Sequence, residues 1–348
     1  MATVRKPESQ REAVLVINLR SRWGPEAARQ AVEELERQGV PVMQSRVVRH
    51  TQRLLAAVQE ATESGAGTVV IGGGDGTLAA VVDLLANRPD LNLGLLPIGT
   101  GNEVARVLGI PLDLPGACRV IAEGVVEEVD LAEANGNYFL HTALVGYPAQ
   151  VNHRVPRWLK RRLGKGAYIF GFLASLFGFR PFRARVTAGG ESWEGKVPLV
   201  VVGNARFHMP GRVLLPAAAI PESCLQAYMP RDGRWSTLAR LAFGLWVTRC
   251  PQPESLVCMV GDSISVEADP AQAVDLDGEY ARQTPVGFRL ARRALRVLVP
   301  GAGEQGIANS EWNRDKWPIR HSPFAIRHSP RGSLSHAGAA RCVRCRGL

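Results

Sequence analysis

"TVVIGGGDGTLAAVVDLL" (residues 68–85) reads as an apolar strand, a glycine loop and a helix. Such a loop usually cradles phosphate, because backbone N–H groups approach the ligand closely and the helix N-terminus is electropositive. Asp75 contradicts that use, since it puts a negative charge among the phosphate-binding amides. The conflict disappears if a divalent cation lies between Asp75 and the phosphates, because Mg2+ takes oxygen ligands from one or two carboxylates together with a nucleotide. No Lys-Ser/Thr follows a spaced glycine pair, so the loop is not a Walker A motif, and it is not G-x-G-x-x-G either.

Outward from this stretch, the first 130 residues alternate strand and helix. "EAVLVIN" is a β-branched run, and "PEAARQAVEELERQG" has Pro25 where a first helical turn tolerates it and Gly39 as a stop. A strand near 41–48 and a helix from Thr51 precede the glycine loop, with the next helix expected from Leu78. "LNLGLLPIGTGNEVARVLGIP" then repeats strand, glycine loop, helix and proline stop. This alternation predicts a parallel sheet flanked by helices, with both loops at its carboxyl edge near a switch in strand order. From about residue 130 the texture changes to short β runs: "YFLHTALVGY", "RARVTAGGESWEG" with Gly189-Gly190 as a hairpin turn, "VPLVVVGNA", "SLVCMVGDSISVEA", "QAVDLDGEY" and "LRVLVP". The expected organisation is an α/β nucleotide domain over 1–130, a β-rich domain over 131–288, a segment 289–300 that returns to the first, and a disordered basic tail over 301–348.

The chain has 348 residues, 46% apolar and 21% charged, as in globular proteins, and a formal charge of +10 that suits an anionic partner. Half of that excess lies in the tail, which twice begins the unit "IRHSP". Cys342 and Cys345 form one C-x2-C there, with only His336 nearby as a third metal ligand. No apolar run precedes a cleavage signal and no eighteen apolar residues run together, so a cytoplasmic protein is expected. Residues 154–179 place six basic side chains among Trp158, Leu159 and Leu163 and then turn apolar and aromatic. One reading is a solvated helix face over a core. The other is an interfacial segment on an anionic membrane surface, with Trp158, Phe170, Phe172 and Phe177 at the acyl boundary. Nucleic acid is a poorer partner, because no recognition motif is present. His141, His153 and His208 are scattered and read as packing or surface residues.

In order along the chain, "GGDGT", "LLPIGTGNEVARVLGIP", "VDL" (129–131), "VGNARF" and "DLDGEY" resemble the catalytic domain of the diacylglycerol kinase and sphingosine kinase superfamily, especially its bacterial soluble lipid kinases. The resemblance spans about residues 12–300. GGDGT alone is shared with NAD kinases and, loosely, phosphofructokinases; the "PIGTGN" loop favours the lipid kinases.

The resemblance implies an α/β domain holding ATP, a β-sandwich domain for lipid specificity, an active site between them, and transfer of the ATP γ-phosphoryl group to a lipid hydroxyl. It assigns nucleotide contacts to Asn18, Thr51, Gly73, Gly74, Asp75, Gly76, Thr77, Leu78 and Ala79, and to Thr100, Gly101 and Asn102. It makes Glu279 the general base, with Asp277 close by. The chain departs from the family at Ala79-Ala80 (usually Asn-Glu), Glu103 (Asp), Pro148 (Asp) and Glu222-Ser223 (Asp-Gly), and its first strand ends "NLRSRWG". For a second cation this leaves Glu222 with the carbonyls of Ala219 and Cys224. The expectation is an ATP- and Mg2+-dependent lipid kinase, peripheral to the membrane, of open oligomeric state. A kinase of a soluble acceptor and a non-catalytic nucleotide or lipid sensor are the alternatives.

Overall fold

The computed structural model describes residues 12–18, 25–146, 181–207, 223–234, 237 and 256–301. The basic-aromatic segment 154–179, Pro148, His153, His208, Ala219, Glu222 and the tail lie outside the described residues. The described chain forms two compact units. One contains the chain up to Gly74, Asp90–Glu127 and the chain from Val297; the other contains Asp75–Pro89 and Glu128–Arg296.

The first half of the chain runs β1 (Ala13–Asn18), α1 (Pro25–Arg37), β2 (Val42–Val48), α2 (Thr51–Glu63), β3 (Thr68–Gly73), α3 (Asp75–Leu85), β4 (Asn92–Pro97), α4 (Glu103–Val107) and α5 (Leu114–Glu123). It continues with β5 (Val125–Ala134), β6 (Asn137–Phe139) and β7 (Thr142–Gly146). Then come β8 (Phe182–Ala188), β9 (Glu191–Val197), β10 (Leu199–Asn204), β11 (Leu225–Pro230), β12 (Leu256–Gly261), β13 (Ser263–Asp269), β14 (Ala273–Leu276), β15 (Glu279–Gln283) and β16 (Val286–Val299).

In the first unit the strands pair in parallel in the order β2-β1-β3-β4, and the end of β16 joins at Val297 beside Leu93. Every residue of β3 and of β4 is buried, the pattern of strands covered on both faces. Each large aliphatic side chain buried there, such as Val69 or Ile71, contributes about 1.5–3 kcal/mol. Helix α2 supplies one cover with Leu54, Ala57, Val58 and Ala61, spaced to lie on a single face. Helix α5, absent from the expectation, supplies another. Asp113 caps it by accepting from Gly116 N–H at 2.8 Å, and Ile121 packs directly over Gly94. Its signal, Asp113 followed by Pro115, lies just beyond the Pro111 read as the stop of the preceding helix.

The second unit holds two facing sheets. One is antiparallel in the order β12-β11-β10-β7-β14-β15. The other joins β9, β8, β13 and the first half of β16. Between them lies an apolar core that includes Phe139, Phe182, Val200, Leu225, Val274 and Phe288, with Phe139 and Phe288 edge to face at 6.1 Å. Gly189 and Gly190, both at positive φ, make the expected turn between β8 and β9. "LRVLVP" is only the end of a 14-residue strand, whose first residues, Val286 to Leu290, alternate inward and outward under the core. Among the described residues no helix is long and apolar enough to cross a membrane.

Candidate active site

In the first unit the parallel sheet brings together residues far apart in sequence. The order β2-β1-β3 reverses direction at β1, so the gap between β1 and β3 is a topological switch point, where ligands bind beyond the strand ends. Asn18 ends β1 beside Val48, Gly72 lies beside Ile17, and Gly73 lies beside Pro97. Thr51 opens α2 just after β2. Asn18, Thr51, Gly73, Gly74 and the 99–102 loop therefore share one carboxyl edge.

The two glycine loops touch. A Cβ on Gly99 would stand 2.4 Å from the Cα of Gly74, so only glycine permits this approach. Asn102 locks the second loop from a left-handed backbone with φ 53°. Its Oδ1 accepts from Gly99 N–H at 2.9 Å, and its Nδ2 donates to Pro97 O at 2.7 Å and Gly99 O at 3.1 Å. Its amide thus shapes the loop, and Thr100 is left exposed at the tip.

Helix α3 starts at Asp75, three residues before the expected Leu78. A carboxylate in a first turn is favoured by the helix dipole, which outweighs the local cost of Gly76. Thr77 and Leu78 are buried, whereas Gly76 is exposed. Helix α3 belongs to the second unit, tied there by Tyr138 N–H donating to Asp83 at 2.6 Å and Asn87 N–H donating to Ala294 O.

The "DLDG" stretch is a two-residue turn between β14 and β15, with Asp277 at φ 49° and Gly278 at φ 95°. The Asp277 carboxylate accepts three backbone N–H groups: Leu140 at 2.6 Å, and His141 and Thr142 each at 2.9 Å. Both its oxygens are therefore occupied in joining the turn to the β6–β7 connection. Glu279, the next residue but one, is exposed, and its carboxylate makes no hydrogen bond or ion pair with the described residues.

The connection that Asp277 holds carries a residue the sequence reading treated as packing. The His141 ring does pack, stacked on Phe207 at 6.4 Å and 17°. Its Nε2 also lies 3.9 Å from Asp75 Oδ1. The "FLH" motif gave no sign of this approach, since the two residues are 66 positions apart and meet only through tertiary packing.

"VDL" and "VGN" are joined similarly. Asn204, fully buried, donates from Nδ2 to Asp130 O at 3.1 Å. The Asp130 carboxylate accepts Arg293 N–H at 2.7 Å and the hydroxyl of Ser223. Ser223, where the family carries glycine, therefore anchors β11's entry to β5. The carbonyl of Cys224 accepts Ala205 N–H at 3.0 Å. Burial pushes the Cys224 thiol up to about 11, so it stays protonated and is no thiolate ligand at neutral pH.

Among the described residues no three His, Cys, Asp or Glu side chains converge as a metal cage. A Mg2+ ion delivered with a nucleotide needs none, since waters and phosphate oxygens fill most of its sphere. Asp75, a hard oxygen donor about a quarter exposed at a helix N-terminus, fits that chemistry.

Abutting glycine loops over a parallel sheet, followed in sequence by a β-sandwich, are the two parts that known families match. The diacylglycerol kinase catalytic domain matches residues 12–134, and the YegS C-terminal NAD kinase beta sandwich-like domain matches residues 142–299. A Pseudomonas aeruginosa protein named "Probable lipid kinase YegS-like" is 34% identical over 70% of this chain and 80% of its own length. A Bacillus subtilis protein named diacylglycerol kinase is 28% identical over 67% of this chain and 77% of its own. A diacylglycerol kinase structure from Bacillus anthracis superimposes with a TM-score of 0.65 at 21% identity, over 84% of this chain and 98% of that one, and shares the fold. The chain belongs to the diacylglycerol kinase family, among its YegS-like lipid kinases.

Proposed function

We propose that the protein transfers the γ-phosphoryl group of ATP to the hydroxyl of a membrane lipid: diacylglycerol, a related glycerolipid or a sphingoid alcohol. The observation that carries this reading is the contact of the two glycine loops at the switch point, with Asp75 following at once in the chain. Phosphoryl transfer is mostly a matter of positioning and charge stabilisation, which backbone amides and a metal-holding carboxylate supply. Mg2+ brought with ATP would be held by Asp75 and would offset the charge that develops on the transferred group. Glu279 would take the proton of the acceptor hydroxyl, and its exposure leaves the carboxylate free to do so. Attachment to an anionic bilayer surface, through the 154–179 segment, belongs to the same proposal.

The test is transfer of labelled γ-phosphate from ATP with Mg2+ into a mixed lipid extract in micelles. Label in the organic phase supports the lipid kinase and identifies the acceptor. Label only in water-soluble products, such as NADP formed from NAD, would replace this reading with a soluble acceptor. Glu279→Gln is expected to lower kcat by about 10²- to 10⁴-fold while ATP affinity stays within about twofold. An equal collapse of ATP affinity would show that Glu279 is not the base.

A further inference from the structure

We propose that His141 is a positioning residue for the carboxylate of Asp75. The role rests on the kinase reading for its activity readout, though not for its binding readout. Both ring nitrogens of His141 are buried and have no hydrogen-bond partner among the described residues. An imidazole has at least one N–H to donate and, when neutral, one lone pair to satisfy, and leaving them unmet in the interior is costly. Such a group in a native fold calls for an explanation. A leucine or phenylalanine would pack against Phe207 without that cost.

The surroundings point the ring at one partner. Its backbone is held by Asp277, through His141 N–H to Oδ1 at 2.9 Å, and its plane is fixed by the stack on Phe207. With main chain and ring plane both restrained, Nε2 lies 3.9 Å from Asp75 Oδ1, about an ångström beyond hydrogen-bond length. Hydrogen bonds in active sites are often long in the free protein and tighten in the complex. In that state His141 donates from Nε2 to Oδ1 and fixes the rotation of the carboxylate. The chain of contacts then runs from the DLDG turn through His141 to Asp75, all within one unit. Sequence elements that carry the acceptor's base and the nucleotide's carboxylate are thereby held in register.

The experiment uses the full chain and two substitutions that remove the donor: His141→Phe keeps the stack, and His141→Leu keeps the bulk. A third, His141→Gln, returns an N–H at similar reach. MgADP binding is measured by titration calorimetry, and kcat and KM for ATP by lipid phosphorylation. Removing the donor is expected to weaken MgADP about tenfold and lower kcat about 30-fold, as for groups that orient a metal-holding carboxylate, with Tm unchanged or raised. His141→Gln is expected to recover most of both. In an Asp75→Asn background the same substitutions are expected to change MgADP affinity by less than about twofold, because coupled residues do not add. Full activity and affinity in His141→Phe or His141→Leu, or equal losses in both backgrounds, would overturn the proposal. A wild type that binds MgADP but phosphorylates no lipid would overturn the kinase reading and leave the binding cycle to judge His141. A wild type that does not bind MgADP overturns both.

Discussion

Asp75→Asn is expected to lower phosphoryl transfer by about 10³-fold, close to 4 kcal/mol of transition-state stabilisation. The substitution keeps the shape of the side chain and the start of α3 but removes the charge proposed to offset a cation. Asparagine is also a good residue at a helix start, so the fold should not suffer. Asp75 is about a quarter exposed and lies outside the apolar cores, which agrees with a Tm shift of no more than about 2 °C. The measurement is γ-phosphate transfer at saturating ATP, together with a melting curve. An Asp75→Asn protein with more than a tenth of wild-type turnover would remove the carboxylate from the metal-nucleotide site.

The second large effect is on stability. Asp277→Ala strips three backbone N–H groups, those of Leu140, His141 and Thr142, of their acceptor and leaves a non-glycine residue at φ 49°. Hydrogen bonds to a charged acceptor contribute roughly 1.5–3 kcal/mol each when their loss leaves partly buried donors unmet. The left-handed backbone adds about 1 kcal/mol for alanine over aspartate, whose side chain eases that conformation. Allowing for relaxation and water entry, a total near 4 kcal/mol is expected, which lowers the melting temperature of a unit this size by about 10 °C. Asp277→Asn separates the contributions: it tolerates the same φ and keeps one oxygen, so about 2 kcal/mol is expected. Thermal unfolding of the two variants side by side is the check. Equal, small shifts would mean that the turn is held by Gly278 and the β14–β15 pairing alone.

Asp277→Ala should also lower turnover beyond what unfolding explains, because the displaced segment carries His141 and the turn carries Glu279. This separates Asp277, whose carboxylate is engaged with the backbone, from Glu279, whose carboxylate is exposed. From sequence the two acids in "DGE" looked like neighbours in one reaction. Their side chains have different work because a two-residue turn puts Asp277 back over the β6–β7 connection.

Much was legible in local sequence. The β-branched runs and the glycine and proline punctuation were enough to find β1 to β4 and the helices between them, since period and turn chemistry act over a few residues. They also located the hairpin at Gly189-Gly190. The misjudged boundaries were those where a residue has two local uses. Asp75-Gly76 can be loop or first helical turn, and the stop at Pro111 hides a new helix that Asp113 and Pro115 open three residues later.

By itself the sequence determined the alternation of strand and helix, the two glycine loops, the later run of strands, and a family resemblance carried by five spaced motifs. Tertiary structure alone decided what those motifs do to one another. It set the approach of Gly99 to Gly74, the engagement of Asp277 with three amides, the tie from Asn204 to Asp130, and the arrival of His141 near Asp75. The physical reason is range. Propensity and capping are settled within a turn of chain, whereas these contacts join residues 25 to 137 positions apart and exist only when sheet register and core packing bring them together.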